Sequence, residues 1–116
     1  MTDPVALGPL AGVRVLDFSS VVMGPYATQI LGDLGADVIK IEPPDGDMTR
    51  FANPRIGGLS SYFMQQNSGK RNISLDMTKP QAVELLLDLV RHVDIVIENF
   101  RPGVMQRMGL SYENLS

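Results

Sequence analysis

The chain has no cysteine in its 116 residues. That excludes a disulfide scaffold, a thiol nucleophile and a cysteine-ligated metal. It has one histidine, His92, and no Ser-His-Asp triad or histidine metal cluster can be built around it in so short a chain. In the last turn of an expected helix, His92 suits a cation opposing the helix dipole better than it suits catalysis. No stretch approaches the roughly 18 apolar residues of a membrane span. The opening Met1-Thr2-Asp3-Pro4 lacks the charged and then apolar regions of a secretory leader. Basic residues are not in excess: 10 Lys and Arg against 13 Asp and Glu leave a net charge of -3, and the pI is near 4.9. This argues against a nucleic-acid partner. The plain reading is a soluble cytoplasmic protein with neither a nucleic-acid nor a membrane partner. Two glycine motifs are also missing. Gly24 is the only glycine in the turn where a dinucleotide site would carry G-x-G-x-x-G, and there is no P-loop.

What is present is enough for one domain with a real core, at 44% hydrophobic and 20% charged residues. After an irregular lead-in over residues 1–11, the pattern is strand, turn, helix, strand. Residues 13–18 are mostly apolar, as in a strand covered on both faces. Residues 19–25 form a turn, with Pro25 suited to a first helical turn. Met23, Ala27, Ile30, Leu31 and Leu34 share one helical face, and Gly35 stands where the helix needs a left-handed closing residue. Residues 36–42 form the next strand. This βαβ unit places a helix N-terminus at the carboxyl end of a strand, where open α/β sheets bind phosphorylated ligands.

The remainder repeats the plan. Residues 43–58, rich in Pro, Gly, Asp and Arg, predict a long loop. A short helix over 60–66, a turn at 67–70 and a strand over 71–75 follow. Thr78 and Gln81 have capping-box spacing, and Ala82, Leu85, Leu86, Leu89 and Val90 line one face of the helix behind them. A fourth strand spans 94–98, a short helix spans 104–108, and a new helix start is read at residues 111–114. With about four strands, the expectation is a piece of a longer protein.

Few residues carry chemistry on their own. Glu42 ends the second strand, where a ribose-binding acid would stand, although a solvated strand end is the simpler account. Asp17 lacks the acidic cluster of a phospho-acceptor domain. The seven methionines suit core filling. Lys70-Arg71 and the pair Arg101, Arg107 are equally consistent with phosphate binding and with solvated turns.

A set of motifs is more specific together than each is alone. Residues 12–18 (GVRVLDF), Gly24-Pro25, residues 31–42 (LGDLGADVIKIE), Gly46-Asp47, Asn67, Lys70-Arg71, Leu75-Asp76, residues 94–103 (DIVIENFRPG) and residues 107–110 (RMGL) follow one another in order. They resemble the opening of class III coenzyme A transferases, a family that includes formyl-CoA transferase, carnitine-CoA transferases and α-methylacyl-CoA racemase. Val22, residues 26–29 and residues 61–63 look most like the formyl-CoA (oxalate) enzymes. The resemblance covers residues 10–116.

The resemblance implies an α/β fold: Rossmann-like βαβ units with a mostly parallel sheet, residues 12–116 being the N-terminal part of a larger CoA-binding domain. It implies acyl-CoA and a carboxylic acid as substrates, CoA as the group transferred, no metal, and an interlocked homodimer for the full-length protein. It implies CoA contacts at Val22 and Met23, near the pantetheine and thioester; at Leu75, Asp76, Met77 and Thr78; at Asn99, Phe100 and Arg101; and at Arg107, near the phosphates. No catalytic residue is implied, because the family's nucleophilic aspartate is expected beyond Ser116, which would leave this chain alone inactive. Formyl-CoA transferases carry glutamine where Val22 stands and arginine where Pro43 stands, which argues against an oxalate-type acceptor and for a different hold on the adenine. An acyl-CoA racemase and a non-catalytic CoA- or nucleotide-binding module are the alternatives. The longer segment between Gly46 and Lys70 favours transfer.

Overall fold

The computed structural model describes residues 8–116, so most of the expected lead-in lies outside the described residues. Four strands form one parallel sheet: β1 (Arg14–Asp17), β2 (Asp37–Glu42), β5 (Arg71–Ser74) and β6 (Ile95–Ile97), in the order β5-β2-β1-β6. Leu16 lies in register with Ile39 and with Val96, and Ile41 with Ile73. The chain builds outward from β1 to β2 and β5, then returns to the other side of β1 as β6. The strand order therefore reverses at β1, and the crevice between the carboxyl ends of β1 and β6 is the topological switch point of the sheet.

Helix α1 (Met23–Asp33) links β1 to β2, and Gly35 closes it at φ +107°, as its spacing predicts. The segment expected to be a long loop is built differently. Asp47 caps a 3-10 turn over Met48–Phe51. A small antiparallel hairpin follows, β3 (Arg55–Ile56) and β4 (Leu59–Ser60). The Ser60 hydroxyl then caps α2 (Ser61–Asn67) by accepting from the Phe63 N–H. Glycines 57 and 58, both at positive φ, turn the hairpin. Helix α3 (Pro80–Val90) joins β5 to β6, and the short helices α4 (Val104–Arg107) and α5 (Tyr112–Leu115) close the chain.

The two faces of the sheet differ in kind. On the α3–α5 side, Leu16, Phe18, Ile39 and Ile41 pack with Leu86, Met105 and Leu110 into the apolar core. On the α1–α2 side, the alternate positions of the same strands include Asp17, Lys40 and Glu42, each no more than 2% exposed. The expectation of strands apolar on both faces thus holds for the α3–α5 face, whereas the other face carries Val15 and Val38 toward its amino end and these charges toward its carboxyl end.

Three local expectations are corrected. The apolar stripe of α1 faces outward: Gly24, Pro25 and Thr28 are buried, whereas Met23, Ile30 and Leu34 are exposed. Small residues let α1 sit close to the polar strand face. In α3, Ala82 and Leu86 are buried but Leu85 is 51% exposed. Thr78 is not the cap of α3. The N-cap is Lys79, which makes no side-chain cap bond, and the Thr78 hydroxyl donates back to Asp76 at 2.5 Å.

Candidate functional site

The site at the switch point is built on the turn that follows β1. Asp17, at the end of β1, accepts from the Ser19 N–H at 2.9 Å, from the Ser19 hydroxyl, and from the Thr28 hydroxyl at 2.6 Å. The Lys70 ammonium meets it at 3.2 Å and also donates to the Pro25 carbonyl and to Asn67 Oδ1. Lys70 is therefore neither a phosphate ligand nor a solvated turn residue, but the counter-ion of Asp17. Burial pushes its ammonium below the usual lysine range, more strongly than the Asp17 carboxylate raises it. Its neighbour Arg71 lies at the amino end of the sheet, paired with Asp37.

A second buried pair lies beside the first. Lys40 Nζ stands 3.0 Å from Asp47 Oδ2 and donates to the Ser19 carbonyl at 3.0 Å. Burial pushes the Asp47 carboxyl up, but the Thr49 N–H and Lys40 outweigh it and hold the group below the carboxylate range. A third cluster surrounds Glu42, which is neither a solvated strand end nor free to bind a ribose. Arg50 grips it with two bonds of 2.7 Å, the Asp47 N–H donates at 2.7 Å, and the Asn72 amide donates as well. Burial raises the Glu42 carboxyl, yet these donors together lower it from 4.5 to about 2. Arg50 also stacks over the Phe63 ring at 4.0 Å.

These clusters tie β2, the 3-10 turn and α2 to the turn over residues 19–22. A reciprocal pair ties the same turn to the end of β6: the Ser20 N–H donates to Asn99 Oδ1 at 3.0 Å, and Asn99 Nδ2 donates to the Ser20 carbonyl at 2.8 Å. Gly24 fits beneath, where a Cβ would lie 2.1 Å from that of Ser19. Val21 has φ +71°, a left-handed conformation rarely taken by a β-branched residue.

Of the residues expected at a CoA site, Val22, Met23 and Asn99 are brought to this crevice. Val22 is 38% and Met23 83% exposed. Leu75 to Thr78 follow β5, with β2 and β1 between them and Asn99. There Leu75 and Met77 pack against the apolar core. Asp76 accepts from the Thr78 hydroxyl and N–H, which lower its carboxyl. Phe100 also packs against the core. Arg101 and Arg107 are exposed, and Arg101 lines a cleft of about 620 Å³ along the outer side of β6, with Phe100, Leu110 and Tyr112. Sequence reasoning passed over the buried ionic face. Its signal is the period-two placement of charge inside apolar strands, at Asp17, Lys40 and Glu42. Among the described residues, no cluster of three or more His, Asp or Glu could hold a metal, and no helix is long and apolar enough to cross a membrane.

Comparison with known proteins agrees on one family. The model of CoA-transferase family III matches residues 10–116. Acetyl-CoA:oxalate CoA-transferase of Acetobacter aceti is 47% identical over 110 residues, covering 94% of this chain and 28% of that protein. Succinyl-CoA:glutarate CoA-transferase of Homo sapiens is 42% identical over 116 residues, 98% of this chain and 26% of that one. Among solved structures, Rv3272 from Mycobacterium tuberculosis superposes with a TM-score of 0.86 at 44% identity, over 94% of this chain and 30% of that one. A CAIB/BAIF family protein from Brucella suis superposes with a TM-score of 0.87 at 42% identity, over 93% and 30%. The chain thus spans a little over a quarter of the length of the curated relatives it matches.

Proposed function

The chain belongs to CoA-transferase family III, and on that premise we propose that it forms the N-terminal, CoA-binding part of an acyl-CoA:carboxylate CoA-transferase. The observation that carries this reading is the reciprocal Ser20–Asn99 pair. It joins the ends of β1 and β6 at the switch point, where open α/β sheets take their ligands, and it leaves Val22 and Met23 exposed at the rim.

In the proposed reaction an aspartate carboxylate attacks the thioester carbonyl of the acyl-CoA. The C–S bond breaks, and CoA thiolate leaves a mixed anhydride. The thiolate then attacks the aspartyl carbonyl, releasing the first acid and forming an aspartyl-CoA thioester. The acceptor acid reverses these steps and departs as its CoA ester. One difficult exchange is thereby divided into easier ones. The buried carboxylates of this chain are unsuited to the attack. Asp17, Glu42 and Asp47 are each held by cations and hydrogen-bond donors. We assign the nucleophile to a segment that follows these residues in the family, and to this chain the holding of CoA. Val22 and Met23 then face the pantetheine and thioester, Asp76, Thr78 and Arg101 offer polar contacts at the other strand ends, and Arg107 offers a cation to the phosphates. In the whole protein we place this unit in an interlocked homodimer.

Calorimetric titration of the chain with CoA tests the reading. Saturable heat is expected, weakened by Asn99→Ala, which frees the turn from β6. A chain that is folded by circular dichroism and takes up no CoA would contradict it.

A further inference from the structure

Asp47 lies in a stretch whose composition suggests only a loop, yet it is 2% exposed. Besides Lys40, its carboxylate accepts from the N–H and hydroxyl of Thr49 at 2.9 and 2.8 Å. It also faces the Val21 N–H, 3.3 Å from Oδ2. Val21 is the one non-glycine residue at positive φ among those described. A branched side chain keeps such a backbone only where its surroundings over-determine it. Here the turn is fixed on three sides: Lys40 holds the Ser19 carbonyl, Asn99 holds both backbone groups of Ser20, and Asp47 meets the Val21 N–H.

We propose that Asp47 is the positioning residue of this turn. Its carboxylate, oriented by Lys40, keeps Val21 in the left-handed conformation and so sets how Val22 and Met23 are presented. The inference rests on the reading of that turn as part of the CoA site, and Asp47 itself acts only through Val21. A glycine at position 21 would take the conformation freely. With valine, the geometry depends on the partner.

Asp47→Asn keeps the shape but turns an amide donor toward Lys40 and the Val21 N–H. Amide exchange followed by NMR is expected to show the Val21 N–H exchanging about tenfold faster, equivalent to about 1.4 kcal/mol. Amides of β1 and β2 should keep their protection. CoA affinity should fall by a similar factor. Adding Val21→Gly should restore most of that affinity, which a merely structural defect would not allow. An unmoved turn in Asp47→Asn, or a double variant no better than the single one, overturns the proposal. If the turn responds as described but the unaltered chain takes up no CoA, the CoA reading fails and the positioning role stands. Should Asp47→Asn not fold, Val21→Gly alone decides: a raised Tm with the neighbouring amides in place supports a strained Val21, and a lowered Tm refutes it.

Discussion

Glu42 shows what the polar face of the sheet does at the scale of one residue. Its carboxyl is lowered from 4.5 to about 2 by Arg50, Asn72 and the Asp47 N–H, against burial. At about 1.36 kcal/mol per unit, that shift links roughly 3 kcal/mol of folding stability to the charged form. Because the folded value lies below the unfolded one, this stability is present above pH 4.5 and is lost as pH falls toward 2. Glu42→Gln removes the charge that Arg50 grips. Urea denaturation should show a loss of about 2–3 kcal/mol at pH 7, shrinking toward zero near pH 2. An equal loss at both pH values would assign the effect to packing instead. The chemistry of Glu42 was not legible in the sequence. Its place at a strand end was plain, but Arg50 lies eight residues on and Asn72 thirty, and only the 3-10 turn and the β2–β5 pairing bring them together.

Elements were legible where one physical signal dominates, and less so where two compete. The strands, Gly35 and α3 follow from periodicity and from the left-handed need of a helix end. The facing of α1 did not, because its longest apolar stripe is the exposed one. The deciding contact is a close approach of small residues, Gly24 upon Ser19, which a hydrophobicity count cannot weigh. In α3 the same count could not separate Leu85 from Leu86, neighbours on a broad stripe. The β1–α1 contact makes a sharp test. A Cβ on Gly24 would lie 2.1 Å from the Ser19 Cβ and 2.5 Å from its hydroxyl, and Ser19 is anchored to Asp17. Gly24→Ala must displace the start of α1 and should cost about 1–3 kcal/mol, although alanine is the better helix former. Adding Ser19→Gly should return part of that loss in the same denaturation measurement. A stabilised Gly24→Ala chain would mean that helix propensity outweighs the contact.

At the scale of the whole molecule, apolar surface lies open where the ionic face of the sheet has its helices. Met23, Tyr26, Ile30 and Leu34 recur at helical spacing along the outside of α1, between 41% and 83% exposed. Phe51 on the 3-10 turn and Ile56 and Leu59 on the hairpin are exposed as well, between 55% and 72%. An exposed apolar stripe such as that of α1 marks an interface or association site, and a net charge of only -3 opposes association weakly. The chain is therefore expected to self-associate, with a sedimentation coefficient that rises with concentration. Ile30 is the residue on which to test this, since it lies mid-stripe and is 42% exposed. Ile30→Glu should abolish the concentration dependence and change stability by less than about 0.5 kcal/mol, as for a surface position. If the variant instead unfolds, the stripe belongs to the fold. If the unaltered chain sediments as a monomer throughout, the exposed face of α1 does not drive association.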